Sequence, residues 1–367
     1  MKIKRVEVYK ADLLLKRAFR IALGEIEVAR NVFIRIDTDA GLSGWGEGSP
    51  FTPIVGETQA TCLEAARDLG RLVLGKDPLD IEKWVREFRN YLPHNTTIRS
   101  AFDMALYDLL GKAAELPLFA LLGGSRRPIF TDNTIGIDTP EAMANIAVEY
   151  KQRGFPAVKV KVGTTAKADI ERIKRIREAI GPELPIRIDA NQGWGCVCAI
   201  RALRGMECFG VQYCEQLVAV WDFESMRRVR SKTTIPIMAD ESVFDEHDAF
   251  KLLSMGACDY LNIKLSKSGG IHTALKINAI AEAAGAKCMV GCMSETRLGL
   301  TAAAHVASAR PNICFIDLDS ADSLTMDPVE GGIAYEDGGK IALPDAPGLG
   351  CAIDPSFLEE LDSFTVQ

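Results

Sequence analysis

The sequence predicts an α/β chain built as a modified (β/α)7β TIM barrel, with an α+β N-terminal capping domain that the C-terminal tail completes. Three observations carry this. The chain has 367 residues, more than one average domain needs. Its N-terminal part reads as strands followed by helices, the order of an α+β unit. From about residue 130, short β-rich runs alternate with amphipathic helical stretches, and eight such βα units predict closure into a barrel. The expected division is 1–125 together with 331–367 for the cap, and 126–330 for the barrel.

In chain order, Val6–Tyr9 and Val32–Asp37 come first, alternating apolar and polar residues in the strand manner, and Gly41, Gly44, Gly46 and Gly48 punctuate the segment after them. Residues 57–75, 79–90 and 98–115 read as helices; the last places Ala101, Met104, Ala105, Leu109 and Ala113 near helical spacing, with Pro117 soon after. Barrel strands are expected at Phe130–Ile135, Ala157–Val162, Pro185–Asp189, Val211–Glu215, Pro236–Asp240, Asp259–Lys264, Lys287–Gly291 and Ile313–Asp317. Seven of the stretches between them can be helical, for example Lys167–Ile180 and Ile271–Ala284. Asp319–Asp327 is loop-like, and the Gly- and Pro-rich chain after residue 330 is expected to leave the barrel and pack on the N-terminal domain.

Composition narrows the function classes. With 47% hydrophobic and 25% charged residues the chain is ordinary globular material. A net charge of −7 argues against nucleic acid or an anionic membrane surface as partner. No apolar run approaches the roughly 18–20 residues of a membrane span, and the charged N-terminus lacks a signal-peptide core, so a cytoplasmic location is expected. The 10 cysteines include no CxxC pair, and His94, His247, His272 and His305 lack metal-ligand spacing. Reduced thiols acting as small apolar residues are the expectation.

Charged residues close six of the eight strands: Lys161, Asp189, Glu215, Asp240, Lys264 and Asp317. The first five recur roughly every 24 to 28 residues, so each holds the same station, the C-terminal mouth where barrel enzymes keep their active sites. One charge at a strand end is ordinary, because strands end at the surface. Three carboxylates on consecutive strands, with a lysine on either side, are not. Oxygen ligands converging on one centre suit a hard cation, Mg²⁺ first and Mn²⁺ as the alternative.

Lys159 and Lys161 stand at i and i+2 of one strand, on the same face and roughly 6.8 Å apart. A lysine base near neutral pH needs its pKa brought from about 10.4 to about 7–8, roughly 4 kcal/mol. A second ammonium at that distance supplies about 2.4 kcal/mol at an effective dielectric near 20, leaving the rest to the metal and burial. Lys264 lies four strands away, across the barrel. Two amines on opposite faces of one carbon, with a cation beneath its carboxylate, invert a stereocentre: one removes the proton and the other returns it to the opposite face of the enediolate.

The stretches KVKV (Lys159–Val162), RIDANQGW (Arg187–Trp194), CEQL (Cys214–Leu217), MADES (Met238–Ser242) and NIKLSKSGG (Asn262–Gly270) closely resemble the enolase superfamily, specifically its muconate-lactonizing-enzyme subgroup. The resemblance covers essentially the whole chain. It implies Asp189, Glu215 and Asp240 as Mg²⁺ ligands, Lys161 and Lys264 as the paired acid/base groups, and Lys159 as an assistant to the base and the substrate carboxylate. Asn191 and Glu241 are expected to support the ligands. Members of the subgroup include cycloisomerases, o-succinylbenzoate synthases, N-succinylamino acid racemases and dipeptide epimerases.

Asp317-Leu318-Asp319 at the eighth strand resembles the DxD element with which dipeptide epimerases bind the substrate's α-ammonium, and two carboxylates at i and i+2 make a sensible ammonium receptor. Met293-Ser294-Glu295 also resembles the epimerase pattern. One departure matters. Relatives acting on Ala-Glu dipeptides carry an arginine where Gly24 aligns; here Leu23-Gly24-Glu25-Ile26 offers no cation, and the second capping loop, Phe51–Val55 with Ile54, is mostly apolar. The expected substrate is therefore a small or hydrophobic dipeptide, with cationic ones next because of Glu25, inverted at the α-carbon of its C-terminal residue. A homo-oligomer is left open. From a different class, a Schiff-base lysine aldolase also fits a barrel with a strand lysine, but needs no carboxylate trio; a non-catalytic role would have been signalled by loss of a ligand or lysine.

Overall fold

The computed structural model describes residues 1–367. Its N-terminal part opens with a long antiparallel hairpin, Ile3–Ile21 against Gly24–Thr38, continued by Ser43–Gly48. The tail strand Ser363–Val366 pairs with the first strand, so the four-stranded sheet is finished by the last residues of the chain. Helices Gln59–Val73, Ile81–Tyr91 and Thr96–Ala113 come next. Three of the four early glycines turn out to be strand residues. A Cβ on Gly46 would lie 1.9 Å from the Ala101 carbonyl oxygen, so the missing side chain lets helix Thr96–Ala113 lie directly on the strand.

The second part is an eight-stranded parallel sheet in sequential order: Asn133–Ile135, Val158–Lys161, Ile186–Asp189, Val211–Glu215, Ile237–Ala239, Tyr260–Ile263, Lys287–Val290 and Ile313–Ile316. Across the seam between the last and first strands, the Asp132 N–H donates to Ile316 O and the Leu318 N–H to Thr131 Oγ1. Seven long helices connect the strands, from Pro140–Gln152 to Arg297–Ala309. After the eighth strand there is only the short 3-10 turn Ser320–Ser323, as the loop-like composition implied. No helix is long and apolar enough to cross a membrane.

Phe130–Ile135 is not one strand. Ile129–Phe130 pairs with the tail strand Lys340–Ala342, and only Asn133–Ile135 enters the barrel. The tail therefore serves both parts of the molecule. A single apolar cluster of 95 buried residues includes Val6 and Ala101 as well as Val160 and Val290, so cap and barrel share one core. Valines 158, 160 and 162 belong to that core, which leaves the alternate lysines facing the barrel interior.

Candidate active site

Strand register converts the sequence stations into layers. Lys161 pairs with Asp189, and Asp189 with Glu215, so these three share one level at the mouth. Lys159 and Arg187 stand in register one level below, beside Tyr213. Asp240 and Lys264 directly follow the fifth and sixth strands. All five mouth residues and Lys159 are buried.

Oxygens of Asp189, Glu215 and Asp240 lie within 4.8 Å of one another. Lys161 Nζ is 2.6 Å from Asp189 Oδ2, and Lys264 Nζ is 2.8 Å from Asp240 Oδ2. Amides anchor one oxygen of each of two ligands: the Asn191 N–H donates to Asp189 Oδ1 (2.9 Å), and Asn262 Nδ2 donates to Glu215 Oε1 (2.7 Å). The remaining Glu215 oxygen and both Asp240 oxygens receive no aligned hydrogen bond, although lysine nitrogens stand 2.8 Å from each. Burial, and then the charge of Asp189, push Glu215 up to about 8. A buried, mutually repelling trio of hard oxygens with free lone pairs fits an oxygen-seeking divalent cation.

From spacing alone Lys159 reads as a repelling neighbour of Lys161. In the fold its ammonium lies 2.6 Å from Asp317, 2.8 Å from Glu215 and 3.6 Å from Asp189. Burial opposes its charge, but those carboxylates outweigh burial and raise its pKa, so its repulsion of Lys161 is largely neutralised at source. Beneath it, Arg187 pairs with Asp132 at 2.7 Å between the rings of Tyr213 and Phe315. Asn191 and Glu241 meet, Nδ2 donating to Oε1 at 3.1 Å.

A cavity of about 520 Å³ opens over this floor. Lys159, Lys161, Lys264, Asn191, Asp317 and Asp319 line its inner end. Phe19, Ile21, Ile26, Phe51 and Ile54 from the capping domain form an apolar wall, and Cys292, Met293 and Ser294 another side. Asp317 is shared with Lys159, whereas Asp319 has no cationic partner: its Oδ2 accepts from the Thr134 N–H (2.7 Å) and its Oδ1 lies 3.9 Å from Cys292 Sγ. Burial, and then Asp317, push Asp319 up to about 6.

Three of the expected wall residues stand elsewhere. Gly24 and Glu25 fall outside the cavity lining, because the hairpin presents Phe19, Arg20 and Ile26 inward instead. Glu25 is not free for a cationic substrate either; its Oε2 accepts from Arg20 Nε (2.8 Å) and Nη2 (2.6 Å). The region is thus not devoid of cations: Arg20 arrives already paired, and Lys16, which donates to the Asp322 carbonyl, and Arg17 of the same hairpin also line the cavity. Glu295 is buried off the cavity, its carboxylate accepting from the Met293 N–H and from Ser266 Oγ. Burial pushes it up to about 7.

Some residues escaped the sequence reading. Lys267 Nζ sits 2.8 Å from Asp240 Oδ1 and donates to the carbonyls of Asp240, Val243 and Asn262. Gln216 Oε1 accepts from the Asp240 (2.9 Å) and Ser242 N–H groups. The i, i+2 rule used for the first lysine pair also puts Asn262 on the face of Lys264, and was the available signal. Lys267 lies within the NIKLSKSGG stretch but reaches the site from a helical turn, where strand alternation assigns it no role.

Comparison with known proteins agrees with this arrangement. Residues 5–123 match the mandelate racemase / muconate lactonizing enzyme N-terminal domain, and residues 142–357 match the enolase C-terminal domain-like model. The chain is 45% identical to the hydrophobic dipeptide epimerase of Enterococcus faecalis, over 95% of this chain and 99% of that one. It is 43% identical to the D-Ala-D/L-Ala epimerase of Cytophaga hutchinsonii over the full length of both. Among solved structures, the Cytophaga hutchinsonii dipeptide epimerase complexed with Mg and D-Ala-L-Val superposes with a TM-score of 0.99 at 43% identity, covering 100% of both chains. The Enterococcus faecalis enzyme complexed with Mg and L-Leu-L-Tyr gives 0.94 at 45% identity, covering 96% of this chain and 100% of that one. With both halves matched and near-complete superposition at these identities, the chain belongs to the mandelate racemase / muconate lactonizing enzyme family of the enolase superfamily.

Proposed function

We propose that this chain is a Mg²⁺-dependent dipeptide epimerase, inverting the α-carbon of the C-terminal residue by 1,1-proton transfer. One observation carries the reading: Lys161 ends the second strand and Lys264 directly follows the sixth, and the carboxylate trio lies at the ends of the three strands between them. Amines on opposite walls with an acidic floor between them suit inversion, and the Asp317–Asp319 pair beside them favours a dipeptide over the subgroup's anionic substrates. Asp189, Glu215 and Asp240 would hold the cation. When bound there, Mg²⁺ supplies the positive charge that makes an α-proton beside a carboxylate removable.

The chain's own residues do the rest. One lysine, neutral, takes the α-proton from its side; the other, charged, delivers a proton to the opposite face. Each turnover leaves the pair with protonation reversed, which is the state needed for the reverse epimerisation. Lys159, fixed by Asp317 and Glu215, adds positive charge close to the substrate carboxylate. Asp319, with Asp317, receives the substrate ammonium; a succinyl group, anionic at that end, would be repelled. Phe19, Ile26, Phe51 and Ile54 offer an apolar seat for the C-terminal side chain, so small or hydrophobic dipeptides are preferred. The two relatives described above, a hydrophobic dipeptide epimerase and a D-Ala-D/L-Ala epimerase, support the same preference.

Dipeptides incubated in D₂O with Mg²⁺ should gain one deuterium at the C-terminal residue and yield both epimers. Absence of exchange from every hydrophobic and small dipeptide would sink the proposal.

A further inference from the structure

The cavity loop after the seventh strand is gripped from the capping domain. Glu47, on strand Ser43–Gly48, is fully buried and has no cationic partner. Instead four donors fill its carboxylate. Asn31 Nδ2 (2.7 Å) and the Thr296 N–H (2.9 Å) donate to Oε1; Thr296 Oγ1 (2.8 Å) and the Gly299 N–H (2.8 Å) donate to Oε2. Thr296 is the N-cap of the barrel helix Arg297–Ala309, so a carboxyl group from one domain takes up the orphan amides at the start of a helix in the other. Two neighbours extend the grip: Asn31 Nδ2 also donates to Ser294 O (2.9 Å), and the Ser294 N–H donates to Ser49 Oγ (3.2 Å).

What is held matters. Cys292, Met293 and Ser294 line the cavity immediately before the gripped residues, and Ser320 Oγ ties Glu295 O to the Asp319 turn at 2.9 Å. A second capping carboxylate repeats the device, since Asp103 Oδ1 accepts from the Ile271 N–H at the start of the barrel helix Ile271–Ala283. We infer that Glu47 is a positioning residue, a capping-domain carboxylate that sets the Cys292–Ser294 wall at the ammonium end of the substrate cavity. The inference rests on the dipeptide reading for the identity of the substrate, but not for the clamp itself.

The test is Glu47→Gln, equal in size but uncharged, and forced to turn an amide NH₂ toward two donors. Hydrogen-exchange mass spectrometry on 292–299 should show the Thr296 and Gly299 amides exchanging about tenfold faster or more. With Mg²⁺ and a hydrophobic dipeptide, KM should rise about tenfold while kcat stays within about threefold, because lysines and trio are untouched. Glu47→Asp, which keeps the carboxyl group on a shorter arm, should fall between. Faster exchange with KM unchanged would reduce Glu47 to a stabilising role, and unchanged exchange would remove the clamp. If the parent epimerises no dipeptide, the functional reading fails while the exchange arm still judges the clamp. Should E47Q not fold, Ser49→Ala removes only the Ser294 partner and should raise KM about threefold; no rise would overturn the inference.

Discussion

His305 provides a quantitative handle on the joint between tail, cap and barrel. It lies fully buried on helix Arg297–Ala309, stacked on Phe119 with ring centroids 5.9 Å apart. The Phe119 N–H donates to Nδ1 at 3.1 Å, which leaves Nε2–H to donate to Leu349 O at 3.3 Å. The neutral ring satisfies both partners, whereas the imidazolium would face Phe119 with donor against donor. Burial, only partly offset by the Leu349 bond, lowers the pKa from 6.5 to about 4. Because the folded value is the lower one, the unfolded chain binds the extra proton first, so stability is full above about pH 6.5 and falls as pH drops toward 4. The shift corresponds to about 3 kcal/mol in all, of which about 2 kcal/mol is already lost at pH 5. Glutamine keeps one acceptor and one donor but does not titrate. Urea unfolding of parent and His305→Gln at pH 7.5 and pH 5 should therefore differ in their pH dependence by about 2 kcal/mol, the parent losing more. Equal losses in both proteins would refute the assignment of a neutral, doubly bonded His305.

Further outcomes are expected at the site. Lys161→Ala and Lys264→Ala should each lower epimerisation by about 10³-fold or more, while solvent exchange survives from only one stereoisomer in each, read by chiral chromatography and mass. EDTA should abolish activity in the parent, with Mg²⁺ or Mn²⁺ restoring it. Asp319→Asn should raise KM about 10- to 100-fold with little change in unfolding midpoint, since it removes the carboxylate that has no cationic partner. Asp319, raised to about 6, loses its charge as pH falls through that value, so kcat/KM should drop below about pH 6 in the parent and lose that limb in the variant. Gly270→Ala should destabilise by about 3 kcal/mol or more in thermal unfolding, because φ is +118° and the new Cβ would meet Asp103 Oδ1 at 2.3 Å.

Much of this was legible from the chain because the information is local. A βα unit has a narrow length, so strand ends recur at near-constant intervals, and alternation along a strand tells which residues face inward. Those two rules place Lys161, Asp189, Glu215, Asp240 and Lys264 at one mouth, with Lys159 one level below on the same face. The split of Phe130–Ile135 was not legible, since its cause is a tail strand some 210 residues later. Nor was the pairing of Arg20 with Glu25, or the exclusion of Gly24 and Glu295 from the cavity, for hairpin twist and loop packing decide which side chains turn inward. The neutralisation of Lys159 by Asp317, and the Glu47 and Asp103 grips, depend on groups far apart in the chain. The order of elements and the chemical groups at the barrel mouth are written in the chain, because both follow from short-range periodicity. Tertiary structure alone decided which charges meet, since Coulomb and hydrogen-bond energies depend on through-space distance, and folding brings together residues whose separation along the chain carries no trace of it.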